Sequence, residues 1–164
     1  MATQFPPAPE GYTTVTPWIV TKDTAGLLDF LKAAFDAEEL GRVEVEGGAI
    51  GHAEARIGDS IVMMFDSPFP VETPGLLRLY VADADAVIER AVRAGATVVT
   101  RPTELFWGEK VGRLRDPLGN IWWVQERVAD LSPEQIGERA QDPKYTEAMT
   151  YLQSTLGPAL PAPR

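Results

Sequence analysis

The stretch FWGEKVGRLRDPLGNIWWVQE, Phe106–Glu126, decides the fold. It reads as a β-hairpin in which Val111–Arg115 runs in, Asn120–Glu126 runs out, and Asp116-Pro117-Leu118-Gly119 turns the chain. Aspartate can cap its own turn, proline presets φ, and glycine takes positive φ without steric cost. Trp122 and Trp123 are adjacent on the outgoing strand, so one indole enters a core and the other points from the opposite face of the sheet. The function turns on that second face.

Working back from the hairpin, Thr97–Thr100 reads as a strand and Asp83–Ala94 as a helix with Val87, Ile88, Ala91 and Val92 on its apolar face. Gly95 is its stop, and Leu76–Val81 reads as a further strand. The same order occurs earlier in the chain. Tyr12–Thr21 is rich in β-branched and aromatic residues and reads as a strand, with Pro17 marking an edge or a bulge. Asp23 or Thr24 caps a helix whose Leu27, Leu28, Leu31, Ala34 and Phe35 recur at helical spacing. Glu39–Glu46, Ala49–Ile57 and Ser60–Asp66 read as three strands separated by Gly47-Gly48 and Gly58-Asp59. Two βαβββ modules thus flank the proline-rich linker Ser67–Gly75, at an offset of roughly 60 residues that places Ile61-Val62-Met63 on Ile121-Trp122-Trp123.

Beyond the hairpin, Leu131-Ser132-Pro133-Glu134 opens a short helix, with serine as N-cap and proline at the first position. Asp142 or Pro143 opens another, to about Thr155, whose Tyr145, Met149 and Leu152 form an apolar stripe expected to pack on its own domain or on a neighbouring subunit. The expected class is α+β. Its expected organisation is a flexible arm at 1–11, a single domain at 12–128 made of modules 12–70 and 75–128, and a C-terminal helical extension and tail at 129–164. A βαβββ unit covers one sheet face with its own helix and leaves the other for a partner or a ligand. Two such units side by side can join their sheets into a curved cup.

The composition, 45% hydrophobic and 24% charged over 164 residues, is that of a globular protein. No run of about 18 apolar residues and no signal peptide is visible, and no cysteine is present, so a cytoplasmic protein without disulfides or thiolate metal sites is expected. A formal net charge of −9 argues against nucleic-acid and anionic-membrane partners. His52 is the only histidine.

The segments VTPWIVTKDTAGLLDFLKAAF, IGHAEARIGDSIVMMFD, LYVADADAVIERAVRAGA and FWGEKVGRLRDPLGNIWW resemble the glyoxalase, bleomycin-resistance and extradiol-dioxygenase superfamily, the vicinal oxygen chelate proteins. GHAEARIGDS and FWGEKVGRLRDPLGNIWW are most similar to its PhnB-like or glyoxalase-like subgroup. The resemblance implies paired modules forming a cup, often in a homodimer, with metal ligands on the first and last strands of each module. Those positions fall near Thr16, Met63 and Leu76 and at Trp123. No histidine or glutamate lies within two places of the first three, and near Trp123 only Gln125 is a weak candidate. No metal or other cofactor is therefore expected.

With Met63 and Trp123 facing the cup, alternation places Thr14, Thr16, Trp18, Ile61, Phe65, Leu76, Arg78, Tyr80, Ile121 and Gln125 on the same side, and Val62, Met64, Trp122 and Val124 in the core. Ala53, Ala55 and Ile57 suit the helix side, which leaves His52, Glu54 and Arg56 on the cup face. His52 and Glu54 read as an acid/base pair, as two ligands of a non-standard metal site, or as a hydrogen-bonded pair on a half-solvated sheet. Trp18, Phe65, Tyr80, Trp107 and Trp123 either line a cavity for a flat or apolar ligand, oriented by Arg56, Arg78 and Gln125, or fill the cup or meet a dimer partner. Trp107, on a loop, is expected to face solvent as a lid or interface. Glu104 and Glu109 are expected to be solvated charges rather than catalytic carboxylates, and Glu89, Arg90 and Arg93 an exposed helix face. The expectation is a non-enzymatic binder of a small apolar or aromatic molecule. The alternatives are a metal-dependent glyoxalase-like lyase, isomerase or dioxygenase around His52 and Glu54, and a dimeric scaffold with a filled cup.

Overall fold

The computed structural model describes residues 6–70 and 74–160, so Val71–Thr73 of the linker, the first five residues of the arm and the last four of the tail lie outside it. The chain divides into two compact units on either side of that linker.

In the first unit, β1 (Trp18–Thr21), α1 (Thr24–Phe35), β2 (Glu38–Glu44), β3 (Ile50–Ile57) and β4 (Ser60–Asp66) follow in order. The sheet runs β1-β4-β3-β2. Within it β1 is parallel to β4 and the other pairs are antiparallel. The side chain of Asp23 accepts from the Gly26 N–H at the start of α1, satisfying an otherwise orphaned donor. Leu27, Leu28, Leu31 and Ala34 are fully buried, as are Ala53, Ala55 and Met64 on the sheet below. The first strand is shorter than the sequence suggests and begins at Trp18 rather than Tyr12. Before it, the Thr13 hydroxyl donates to the Val15 carbonyl and the Thr16 hydroxyl to the Thr13 carbonyl. These local bonds bend the backbone, and Pro17 has no N–H for a ladder. Thr14 and Thr16 are therefore not strand residues.

In the second unit, β5 (Leu76–Tyr80), α2 (Ala84–Arg93), β6 (Thr97–Glu104), β7 (Glu109–Arg115) and β8 (Ile121–Arg127) repeat the order. They are followed by α3 (Pro133–Gln141), α4 (Pro143–Leu156) and a single 3-10 turn. The sheet runs β5-β8-β7-β6, with β5 parallel to β8. β6 extends past Thr100 to Glu104, because an edge strand tolerates Pro102. Val92 is 44% exposed, against its expected place on the packed face of α2. Ala84, Val87, Ile88 and Ala91 fill that face, and Val92 sits one helical step round from Ala91. α4 packs in its own unit, with Tyr145 and Leu152 buried.

The internal repeat is visible in side-chain bonds as well as in topology. Asp23 and Asp83 cap α1 and α2 in the same way. At the end of the last strand of each unit, a carboxylate holds the first turn of the helix: Asp66 accepts from the Thr24 N–H and Glu126 from the Ala84 N–H. No helix of the described residues is long and apolar enough to cross a membrane.

Candidate functional site

Each sheet has one face under its module helix and one free face, and the sequence-predicted residues divide between the two free faces. On the first sheet, Trp18, Met63 and Glu54 form a row across β1, β4 and β3. Phe65 and His52 lie two residues further along their strands on the same face. Trp18 and Phe65 meet at 5.3 Å between ring centroids with a 49° tilt, and Trp18 remains 62% exposed. The neighbouring polar groups are joined. His52 Nε2 lies 2.8 Å from Glu54 Oε1, and the Tyr12 hydroxyl also donates to Glu54. The Tyr12 bond, then the His52 bond, hold the Glu54 carboxyl below the ordinary range, and the same carboxylate raises the Tyr12 phenol. With the Glu54 carboxylate accepting, Nε2 is the ring nitrogen that donates, and Nδ1 takes no part in this pair. Arg56 faces Glu38 at 3.7 Å, and the Gly11 backbone folds back against Arg56 and Ile61. Ile61 is thereby buried although it belongs to the free face.

On the second sheet, Arg78, Trp123 and Arg113 form the equivalent row across β5, β8 and β7, and Tyr80, Gln125 and Val111 the next. Part of this face is covered from within the unit. Trp107, Trp123, Ala148 and Met149 pack against a buried cluster of Leu105, Val111 and Leu152. Trp107 is therefore half-buried rather than solvent-facing, because its ring packs on that cluster and its Nε1 donates to Glu109 at 2.9 Å. Glu109 also accepts from Gln125 Nε2. Glu104 accepts from Arg139 and from the Tyr145 hydroxyl and lies 3.5 Å from Lys144. Burial pushes its carboxyl up, but these partners outweigh burial and hold it below the ordinary range. Both glutamates are thus anchors of the fold, not the solvated charges expected.

The sequence reading missed Arg113. It is 6% exposed, lies 4.8 Å over the Trp123 ring, and donates to the Leu152 carbonyl and Thr100 hydroxyl. The signal was available: alternation across the hairpin puts Arg113 beside Trp123 on one face. Arg78 and Tyr80 are exposed, as strand alternation from Trp123 implies.

The metal site implied by the superfamily does not fit these residues. Thr16, Met63, Leu76 and Trp123 offer neither imidazole nor carboxylate, and His52 and Glu54 already satisfy each other. Among the described residues one acidic triad, Asp83, Asp85 and Glu126, has converging oxygens. The Lys110 ammonium already sits there, 2.8 Å from Asp85 and 3.3 Å from Glu126.

Comparison with known proteins gives a consistent family. The model of the Glyoxalase/Bleomycin resistance protein/Dioxygenase superfamily matches residues 12–124. An uncharacterized protein of Mycobacterium bovis is 37% identical over 134 residues, covering 74% of this chain and 88% of that protein. One of Mycobacterium tuberculosis shows the same identity and covers 79% of its own length. Among solved structures, TioX from a Micromonospora species superposes with a TM-score of 0.59 at 24% identity, covering 73% of this chain and 100% of that one. The fosfomycin resistance protein FosX of Listeria monocytogenes gives 0.58 at 13% identity, covering 76% and 97%. At these identities the two structures speak for the fold alone.

Proposed function

This chain belongs to the glyoxalase/bleomycin resistance protein/dioxygenase superfamily, and on that premise we propose that it binds a small aromatic or apolar molecule on the free face of its first sheet, without a metal ion. The observation that carries the proposal is the Trp18–Phe65 pair, whose indole is 62% exposed beside an ordered polar row. Rings in contact on a sheet face form one apolar patch, and such a patch rimmed by polar groups marks a binding surface. Covering the open part of Trp18 contributes on the order of 3 kcal/mol before the cost of association, so the ring dominates affinity for a flat guest. The Tyr12–Glu54–His52 chain is held in place by its own hydrogen bonds and presents the His52 Nδ1, which orients a guest by a hydrogen bond. Absence of imidazole or carboxylate at the superfamily's ligand positions supports binding over metal-assisted catalysis. Homodimer assembly, implied by the resemblance, is part of the same proposal and is checked by light scattering.

The test is titration of the metal-free protein with the neutral probe N-phenyl-1-naphthylamine, followed by fluorescence. Trp18→Phe is expected to weaken binding about tenfold. His52→Gln is expected to change it by less than about threefold, since the imidazole orients but does not carry the affinity. Equal binding by the wild type and Trp18→Phe rejects the site. Turnover of a substrate that is abolished in His52→Gln would move the reading to an enzyme.

A further inference from the structure

The chain has 24 acidic and 15 basic residues, yet two guanidiniums on the free face of the second sheet have no carboxylate partner among the described residues. Arg78 on β5 and Arg113 on β7 stand in register on either side of Trp123 on β8. Arg113 is 6% exposed; its Nη1 is satisfied by Leu152 and Thr100, but its Nε is buried without a partner among the described residues. One row along, Gln125 is 3% exposed, and its Oε1 is also buried without such a partner. The amide cannot be flipped to relieve this, because its N–H must meet the Glu109 carboxylate. Orphaned polar atoms at such depth are uncommon, and a buried guanidinium without a counter-charge is costly. Burial, and then the Arg78 charge, lower the Arg113 pKa, which a negative guest would reverse.

We infer that the second unit carries a binding site for an organic carboxylate with a flat aromatic body, the anion recognised by Arg78 and Arg113 and the ring lying along Trp123. Arginine is suited to this task, since its planar fork matches a carboxylate and its face stacks on an indole. The Arg113 guanidinium, over the Trp123 ring, is the inner cation, and Arg78, exposed on the neighbouring β5, provides the approach. Gln125 Oε1, one row away, accepts from a donor on the guest. At the matching position of the first sheet, where Arg113 stands here, the row carries Glu54. That row thus lacks the guanidinium that recognises the anion here, and this site does not rest on the first-sheet proposal.

The test uses the full-length, metal-free protein with 2-naphthoate and its uncharged isostere 2-naphthamide. The carboxylate is expected to bind at least about tenfold tighter than the amide, and Arg78→Gln to remove about that factor for 2-naphthoate alone. Arg78 is exposed, so its loss does not threaten folding. The Arg113 Nε–Hε resonance is expected to move on addition of 2-naphthoate and not of 2-naphthamide. In protein that already carries Trp18→Phe, Arg78→Gln is expected still to remove about the same tenfold factor for 2-naphthoate, which keeps this site distinguishable from the first-sheet one. Equal affinity for acid and amide, no saturable binding of 2-naphthoate, an unmoved Arg113 resonance, or no effect of Arg78→Gln would each overturn the inference.

Discussion

Asp116 shows how much one side chain organises. It is 3% exposed and accepts from the backbone N–H groups of Leu118 and Asn120, from the Asn120 amide and from the Trp122 indole, all at 2.8–3.0 Å. Turn chemistry alone made the first of these legible in the sequence; the bond to a core indole was not, because it depends on how the turn seats on the sheet. Asp116→Ala leaves several buried donors unsatisfied and is expected to cost about 3 kcal/mol, read as a lower urea midpoint. Glu39 makes the pH argument. The bidentate Arg42 fork, then Lys32, hold its carboxyl down from 4.5 to about 2. A depressed acid stabilises the fold above its unfolded value and loses that contribution as pH falls through its folded one. Glu39→Gln is therefore expected to lower Tm at pH 7, with the gap to wild type closing as pH falls from about 4.5 to about 2. A gap independent of pH would reject the assignment.

At the level of elements, packing decided what pattern could not. Helical spacing alone placed Val92 on the wrong side of α2, and strand propensity extended β1 back through residues that bend on their own hydroxyls. Both errors sit at element ends: packing had already filled the buried face of α2 before Val92, while local hydroxyl bonds and Pro17 ended the β1 ladder. The β6–β7 connection is specified more tightly. Gly108 has φ +86°, and its carbonyl accepts from the N–H groups of Val128 and Ala129, tying the loop to the end of β8. A Cβ there would stand 2.7 Å from the Ala129 carbonyl oxygen, which is backbone and cannot swing away. Gly108→Ala is expected to destabilise the second unit by about 2 kcal/mol or more, through left-handed strain and this clash. Gly41→Ala, with nothing within 4 Å of the added carbon, is the control and is expected to be near neutral. Thermal melts of the two variants decide it.

Across the whole molecule, the repeated βαβββ order was legible because periodicity, caps and turns agreed in both halves. The free faces were legible as faces, since alternation from Met63 and Trp123 fixed them, but not as chemistry. Whether Trp107 and Trp123 stand open depends on α4, and no local pattern states where a C-terminal helix will lie. The same scale carries the sharpest functional division. The ligand set that the resemblance implies is imidazole and carboxylate, whereas the positions read for it from the sequence, near Thr16, Met63 and Leu76 and at Trp123, supply neither. An ion bound at about a hundred times its Kd would add about 2.7 kcal/mol to the folded state. For a chain of this size that raises Tm by several degrees, well within the reach of a thermal melt. The purified protein, soaked in Mn, Fe, Ni or Zn and then desalted, is expected to hold far less than one equivalent by elemental analysis and to keep its Tm unchanged. Near-stoichiometric metal that disappears in His52→Ala would overturn this, by showing that the His52–Glu54 pair opens to receive an ion rather than closing on itself.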